Sequence, residues 1–299
     1  MPYAISNGCR IYYEEAGPAD APAILFCHEY CGDYRSWEGQ MRHFSRAYRC
    51  VSFSNRCYAR SDAPADIAAY GQDIANRDAI AVLDHLKIAC AHVVGLSMGG
   101  YTALMLAAKF PDRVLACVPA GAGSGSLKSQ RAQFIAEAEE KATEMERRGV
   151  VDAVAMGLAP TRVQLQNKDP RGWQEFVAHL GERDARAAAH TLRQVQGKRP
   201  SLYDLEAELA AVKAPTLLLV GDEDEPCLDV NLWLKRLMPT ARLAFLPAAG
   251  HAINLEEPVL FNHLIERFLA DVDRGTWAAR DSRAVPGLAV GSLGVKRPD

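Results

Sequence analysis

The segment Val93-Val94-Gly95-Leu96-Ser97-Met98-Gly99-Gly100 constrains the fold of this chain more than any other. A short apolar run that reads as a buried strand ends in a glycine-rich turn, and the apolar run Tyr101 to Phe110 that follows reads as a helix stopped by Pro111. A serine between two glycines at such a junction sits on a tight turn that pushes its hydroxyl out of the sheet, and the glycines leave room for the backbone. Ser97 is therefore a candidate nucleophile. The plainer alternative is a phosphate-binding turn at a helix N-terminus, but no Lys or Asp follows at P-loop or dinucleotide spacing.

Strands and helices alternate around this junction. Ala4 to Ser6 and Arg10 to Glu14 flank Asn7-Gly8, a strong two-residue hairpin signal because both central positions of a type I′ turn need positive φ. Ala23 to Cys27, Cys50 to Phe53, His92 to Val94, Val114 to Val118, Pro215 to Val220 and Ala241 to Leu246 are short apolar runs of the kind buried on both faces of a parallel sheet. A helix is expected between the first and second of these runs, and helical spacing recurs over Ile67 to Leu86, over Leu228 to Met238 and over Pro258 to Val272. The spacing predicts an α/β architecture, with a mostly parallel central sheet and helices on both faces. From Leu127 to Leu209 strand character vanishes and charges and alanines are dense, so this block is expected to be helical. The expected division is a core of residues 1–125 and 209–272, an inserted helical block of 126–208, and a tail of 273–299 that is flexible or ordered by packing on another surface.

A serine hydroxyl is a weak nucleophile until a base takes its proton, and the base needs an orienting acid. His251, in Gly250-His251-Ala252, lies just past the last expected strand, where a loop can carry an imidazole over the sheet edge. The acid is expected after the strand Pro215 to Val220, where Gly221-Asp222-Glu223-Asp224-Glu225-Pro226 offers four carboxylates. Asp224 is preferred because the fourth residue of such a loop turns back over the sheet, while Asp222, the second choice, and Glu223 point to solvent or cap the next helix. No acid follows Val114 to Val118, where Pro119, Ala120 and Gly121 stand.

Composition narrows the partners. With 34 Lys and Arg against 37 Asp and Glu, a net charge of −3 and no long run of like charge, a nucleic-acid partner is not expected. No stretch approaches the roughly 18 apolar residues of a membrane span, and Met1 to Arg10 lacks the pattern of a secretory leader. The eight cysteines are scattered, several inside apolar runs, which favours reduced thiols and a cytoplasmic setting. Cys27-His28-Glu29-Tyr30-Cys31 has soft ligands but no second pair at zinc spacing, so neither a metal nor a cofactor is expected. A small-molecule substrate is the expected partner, and self-association as a homo-oligomer is compatible with the sequence.

Taken together, Gly-Leu-Ser97-Met-Gly-Gly, the loop Gly221 to Asp224, and Gly250-His251 followed by Asn254-Leu255-Glu256-Glu257-Pro258 resemble the nucleophile, acid and histidine loops of the α/β-hydrolase fold superfamily. The resemblance spans about residues 1–125 and 209–272, and the inserted helices are similar to its cap. Arg56-Cys57-Tyr58-Ala59-Arg60-Ser61-Asp62 lines up with the family's Arg-Gly-x-Gly-x-Ser stretch, with Cys57 and Ala59 in place of glycines. The resemblance implies a serine esterase or enol-lactonase type of activity, with Ser97, Asp224 and His251 as catalytic triad and an oxyanion hole formed by the backbone N–H groups of Tyr30 and Met98. Hydrolysis of a C–C bond by the same triad, or a ligand-binding or signalling protein with slow turnover, are the alternatives it leaves open.

Glu29 departs from the family's pattern by standing where glycine is usual. A carboxylate there opposes a developing oxyanion unless it is turned away, protonated, or paired with Arg56 or another cation. A structural role is the preferred expectation for Glu29, with substrate contact as the alternative, and His28 is read as a hydrogen-bonded structural residue. The apolar residues Leu158, Val163, Trp173, Phe176, Val177 and Leu180 are expected to line a pocket over Ser97 together with Tyr30 and Met98. Arg162, Arg171 and Arg183 are read first as exposed helical arginines and second as anchors for a substrate carboxylate.

Overall fold

The computed structural model describes residues 2–281 and residue 284. Its centre is an eight-stranded sheet in the order β1-β2-β4-β3-β5-β6-β7-β8, formed by β1 (Tyr3–Ser6), β2 (Cys9–Ala16), β3 (Ala23–Cys27), β4 (Arg49–Phe53), β5 (Ala91–Leu96), β6 (Val114–Ala120), β7 (Thr216–Gly221) and β8 (Ala241–Leu246). The pairs β1·β2 and β2·β4 are antiparallel and every other neighbouring pair is parallel. Asn7 and Gly8 turn the first hairpin with φ of 47° and 76°, as their sequence signal requires.

All five residues of β3 and all six of β5 are buried, because helices cover both sheet faces. On one face α2 (Gln72–His85), α3 (Met98–Lys109) and α10 (Glu225–Leu237) pack against Leu25, Val51 and Val93. On the other, Phe44 of α1 (Glu38–Phe44) and Phe261, Ile265 and Phe268 of α12 (Pro258–Asp273) pack against Ile24, Phe26 and Val94. Successive strand residues thus serve opposite cores.

Two helix boundaries differ from the sequence expectation in instructive ways. The helix expected over Ile67 to Leu86 is a short 3₁₀ turn at Ile67–Ala69, a break at Tyr70 and Gly71, and then α2, whose first turn closes with Ala75 N–H on Gly71 O. The helix after Ser97 begins at Met98 rather than Tyr101, because the serine itself makes the turn.

Between β6 and β7 lie only helices: α4 (Arg131–Arg148), α5 (Ala153–Gly157), α6 (Val163–Lys168), α7 (Pro170–Gly181), α8 (Ala185–Thr191), which continues as a π-helical turn over Leu192–Gly197, and α9 (Glu206–Ala210). Ala142, Met145, Phe176, Leu180, Ala188 and Leu192 from these helices form a third apolar cluster with Tyr30, Tyr58 and Met98. This cluster joins the insertion to the C-terminal edge of the sheet. Beyond α12 the chain to Asp281 packs on the core: Trp277 Nε1 donates to Thr240 O, and the Arg280 guanidinium donates to the carbonyls of Lys235 and Arg236. The remainder of the expected tail, except Ala284, lies outside the described residues.

Candidate active site

Ser97 occupies the turn between β5 and α3 with φ 55° and ψ −109°, a strained conformation for a residue with a side chain. The turn is held by Ser97 N–H on Ala120 O (2.7 Å) and Tyr101 N–H on Ser97 O (2.8 Å). Its glycines are obligatory. A Cβ on Gly95 would lie 2.1 Å from Gly99 O, and one on Gly99 would lie 2.0 Å from Cys27 O.

His251 follows β8 and is buried, and its Nδ1 lies 2.7 Å from Asp224 Oδ2. Asp224 is fully buried at the end of the loop after β7 and precedes α10. Burial alone would push the His251 pKa down, but attraction to Asp224 and their hydrogen bond outweigh it and hold the imidazole above its ordinary value. With Nδ1 engaged by Asp224, Nε2 is the nitrogen free to accept a proton. Ser97 and His251 face one cavity of about 170 Å³. Asp222 instead accepts Ala249 N–H (3.1 Å), and Glu223 accepts from Gln164 Nε2, so both brace the loop. Glu256 holds the histidine loop from the far side by accepting Gly250 and Ala252 N–H.

Of the two expected backbone donors, Tyr30 lines this cavity, whereas Met98 lines a separate small pocket with Tyr58 and Tyr70. Met98 is the first residue of α3, where an N–H has no helical acceptor, and among the described residues neither it nor the Tyr30 N–H meets a protein acceptor. The Tyr30 loop is firmly held. His28 Nδ1 donates to Glu29 O (2.7 Å), the carbonyl of the peptide that carries the Tyr30 N–H, while His28 Nε2 accepts Asn55 N–H (3.0 Å). Burial drives the His28 pKa down to about 4, so this imidazole is neutral and bridges two backbone groups.

Glu29 is buried and ion-paired, and its partner is Arg162 of the insertion rather than Arg56. Arg56 is held bidentately by Asp78 at 2.7 and 2.6 Å and also donates to Ala69 O. The reading of the three arginines as exposed holds for Arg171 alone, which pairs with Glu175 on the surface. Arg162 and Arg183 are buried. Arg183 lies over the rings of Tyr30 (4.5 Å) and Tyr58 (4.0 Å) and donates to Tyr30 O at 2.7 Å, fixing the Tyr30 loop.

The cavity roof also differs from expectation. Phe134 and Ala138 of α4, Met156 of α5, and Leu192 and Gln196 of the π-helical turn line it, with Tyr30 from the core. None of Leu158, Val163, Trp173, Phe176, Val177 or Leu180 does, and Met98, expected beside Tyr30, lines the separate small pocket with Tyr58 and Tyr70. Phe176 and Leu180 turn into the insertion's own core, and Trp173 Nε1 donates to Gly157 O, because α7 packs against α5 and α6. The signal for this face of α4 was in the sequence: Phe134 and Ala138, which line the cavity, and Ala142 and Met145, which pack in the apolar cluster, recur at helical spacing along the otherwise charged helix.

For a metal, Asp224, Cys227 and His251 bring three donor atoms within 4.8 Å of one another. His251 Nδ1 and Asp224 Oδ2 are already joined, however, and the Cys227 thiol, held protonated by burial, donates to Gly121 O. The hydrogen bonds of His251 Nδ1 and the Cys227 thiol engage two of the three donors with other protein groups, while Asp224 Oδ1 is buried without a partner among the described residues.

Residues 22–258 match the sequence profile of the alpha/beta hydrolase fold. The chain belongs to that family. Among its relatives, 3-oxoadipate enol-lactonase 2 of Acinetobacter baylyi is 27% identical over 85% of this chain and 91% of its own. A 2-hydroxy-6-oxononadienedioate/2-hydroxy-6-oxononatrienedioate hydrolase of Burkholderia vietnamiensis is 27% identical over 87% of this chain and 91% of its own. The crystal structure of an enol-lactonase from Burkholderia xenovorans superposes with a TM-score of 0.72, covering 90% of this chain and all of the other at 24% identity. The α/β-hydrolase fold read from the sequence is thus the fold of the protein.

Proposed function

We propose that this hydrolase cleaves a small to medium carboxylic ester or lactone through an acyl-enzyme formed on Ser97. The observation that carries the reading is the shared cavity: Ser97 and the Asp224-oriented His251 face it together, with Tyr30 in its lining. His251 Nε2 takes the Ser97 proton as Oγ attacks the substrate carbonyl, and the Tyr30 and Met98 N–H groups receive the negative oxygen. Collapse expels the alcohol, which takes the proton back from His251. Water, activated in turn by His251, then releases the acid.

Volume supports a small group next to Ser97. At about 170 Å³ the chamber is below the usual size of a ligand site, but it shares Cys31, Glu137, Lys141, Met156 and Arg162 with a groove of about 930 Å³ that can take the rest of the substrate. The relatives named as enol-lactonase and dienedioate hydrolase favour an acyl or vinylogous ketone substrate, and the second name keeps C–C cleavage by the same triad as the alternative. Seven of the eight free thiols are buried, which supports a reducing, cytoplasmic setting, and among the described residues no helix is long and apolar enough to cross a membrane. The test is labelling of Ser97 by a fluorophosphonate, followed by turnover of a panel of esters and lactones of graded chain length. Labelling with turnover peaking at short to medium chains is the expected result; a wild-type protein that is unlabelled and inert overturns the reading.

A further inference from the structure

We propose that Glu29 and Arg162 act as one neutral positioning unit that ties the insertion to the oxyanion-side loop and sets the charge around His251. The inference rests on the reading of His251 as the base of a serine hydrolase. Its geometry begins on the turn Pro160–Arg162, which precedes α6. Thr161 O accepts His251 N–H at 2.7 Å, and the approach is so close that a Cβ on Gly250 would fall 2.2 Å from that oxygen. The next residue, Arg162, lines the Ser97–His251 cavity and pairs with Glu29 on the loop after β3. One three-residue turn therefore grips the base with its backbone and the oxyanion side with its side chain. Farther along, Gln164 bonds Glu223 of the acid loop and Lys168 bonds Ala248 O, so the docking continues on both sides of His251.

The pair is neutral overall but electrostatically lopsided as a structural bridge. Arg162 gives Glu29 a single nitrogen, and its buried Nε has no partner among the described residues. A fork-to-fork pair such as Arg56 with Asp78 satisfies more donors. The position of Glu29 and Arg162 matters because both charges act on His251: Arg162 disfavours the imidazolium and Glu29 favours it. The other charged and titratable groups around His251 are Asp224 and Cys227 on the acid side, Glu256 on α11 (Ile253–Glu256), Cys31 beside Glu29, and Glu137 and Lys141 at the cavity mouth on α4. With Asp224 already raising the imidazole, an unpaired Glu29 would raise it further, and an unpaired Arg162 would offset Asp224. The pair keeps either from happening, which accounts for a carboxylate being tolerated beside an oxyanion site.

The experiment is an NMR titration of the His251 imidazole in the full-length wild type and in Glu29→Gln, Arg162→Gln and the double variant, together with the pH profile of kcat/KM. Glu29→Gln is expected to lower the His251 pKa by about one unit and Arg162→Gln to raise it by a similar amount. The double variant, in which two amides face each other, should return it close to the wild-type value, with the acid limb of the pH profile moving in step. Shifts in one direction only, no shifts, or a double variant that fails to revert in a folded protein overturn the proposal. A pair that merely braces the fold would lower Tm and leave the titration unmoved. Because the titration needs no turnover, it stands apart from the hydrolase reading: opposite shifts without fluorophosphonate labelling of Ser97 sink the hydrolase, and labelling without shifts sinks the pair.

Discussion

His28 and His251 are both buried and both sit in loops beyond the C-terminal ends of strands, yet they have opposite chemistry. His28 donates to a backbone carbonyl and accepts from a backbone N–H, and burial without a carboxylate partner takes its pKa to about 4. His251 donates to Asp224, and that carboxylate reverses the effect of the same burial. Position after a strand does not make a base. A buried imidazole becomes one when a carboxylate holds one nitrogen and an open cavity meets the other.

The comparison breaks first at the largest effect. Ser97→Ala and His251→Ala should each lower kcat/KM by about 10⁴-fold or more, and the double variant should lose little further, because the two act as a unit. His28→Gln should stay within about tenfold of wild type, since it loosens the Tyr30 peptide without removing a reacting group. Steady-state kinetics on folded variants decide this, and a His28 loss equal to that of His251 would erase the distinction.

The next contrast lies between two aspartates of one loop. Asp224→Asn should cost on the order of 10³- to 10⁴-fold, whereas Asp222→Asn, which weakens a bond to Ala249 N–H, should cost less than about tenfold. Equal losses would leave the acid unassigned.

The pH dependence sharpens the same point. His251 must be neutral to accept a proton, and its pKa is raised, so kcat/KM should rise through an acid limb lying above the ordinary 6.5. Removing the raising charge in Asp224→Asn should slide that limb to lower pH while the plateau falls. A limb that stays in place would mean another group titrates there.

The smallest effect is on stability. His28 is neutral in the folded chain down to about pH 4, while the unfolded chain protonates it near 6.5. The unfolded state therefore binds the extra proton between those values, and the contribution of His28 is full above 6.5 and lost progressively as pH falls toward 4. His28→Gln should lower Tm at neutral pH, by a ΔΔG of about 1–3 kcal/mol, and flatten the decline of Tm below pH 6.5. Parallel curves for wild type and variant would contradict this.

Several features were legible in the chain because they depend on neighbours in sequence. The turn at Ser97 follows from a buried strand, a helix and two glycines that nothing larger could replace. The hairpin at Asn7-Gly8, the boundaries of β3 and β8, and the loop positions of Asp224 and His251 follow from short apolar runs and the turn residues after them. A helical insertion was visible in the loss of alternation between Leu127 and Leu209. What tertiary structure alone decided is which distant charges and faces meet. Glu29 and Arg162 lie 133 residues apart, and no local pattern distinguishes Arg162 from the exposed Arg171. The roof of the cavity fell to α4 and the π-helical turn rather than α7 because an amphipathic helix buries its apolar face against whichever neighbour packing supplies, and α7 found α5 and α6. Periodicity fixes that a helix has an inner face; only the packed fold determines what that face looks upon.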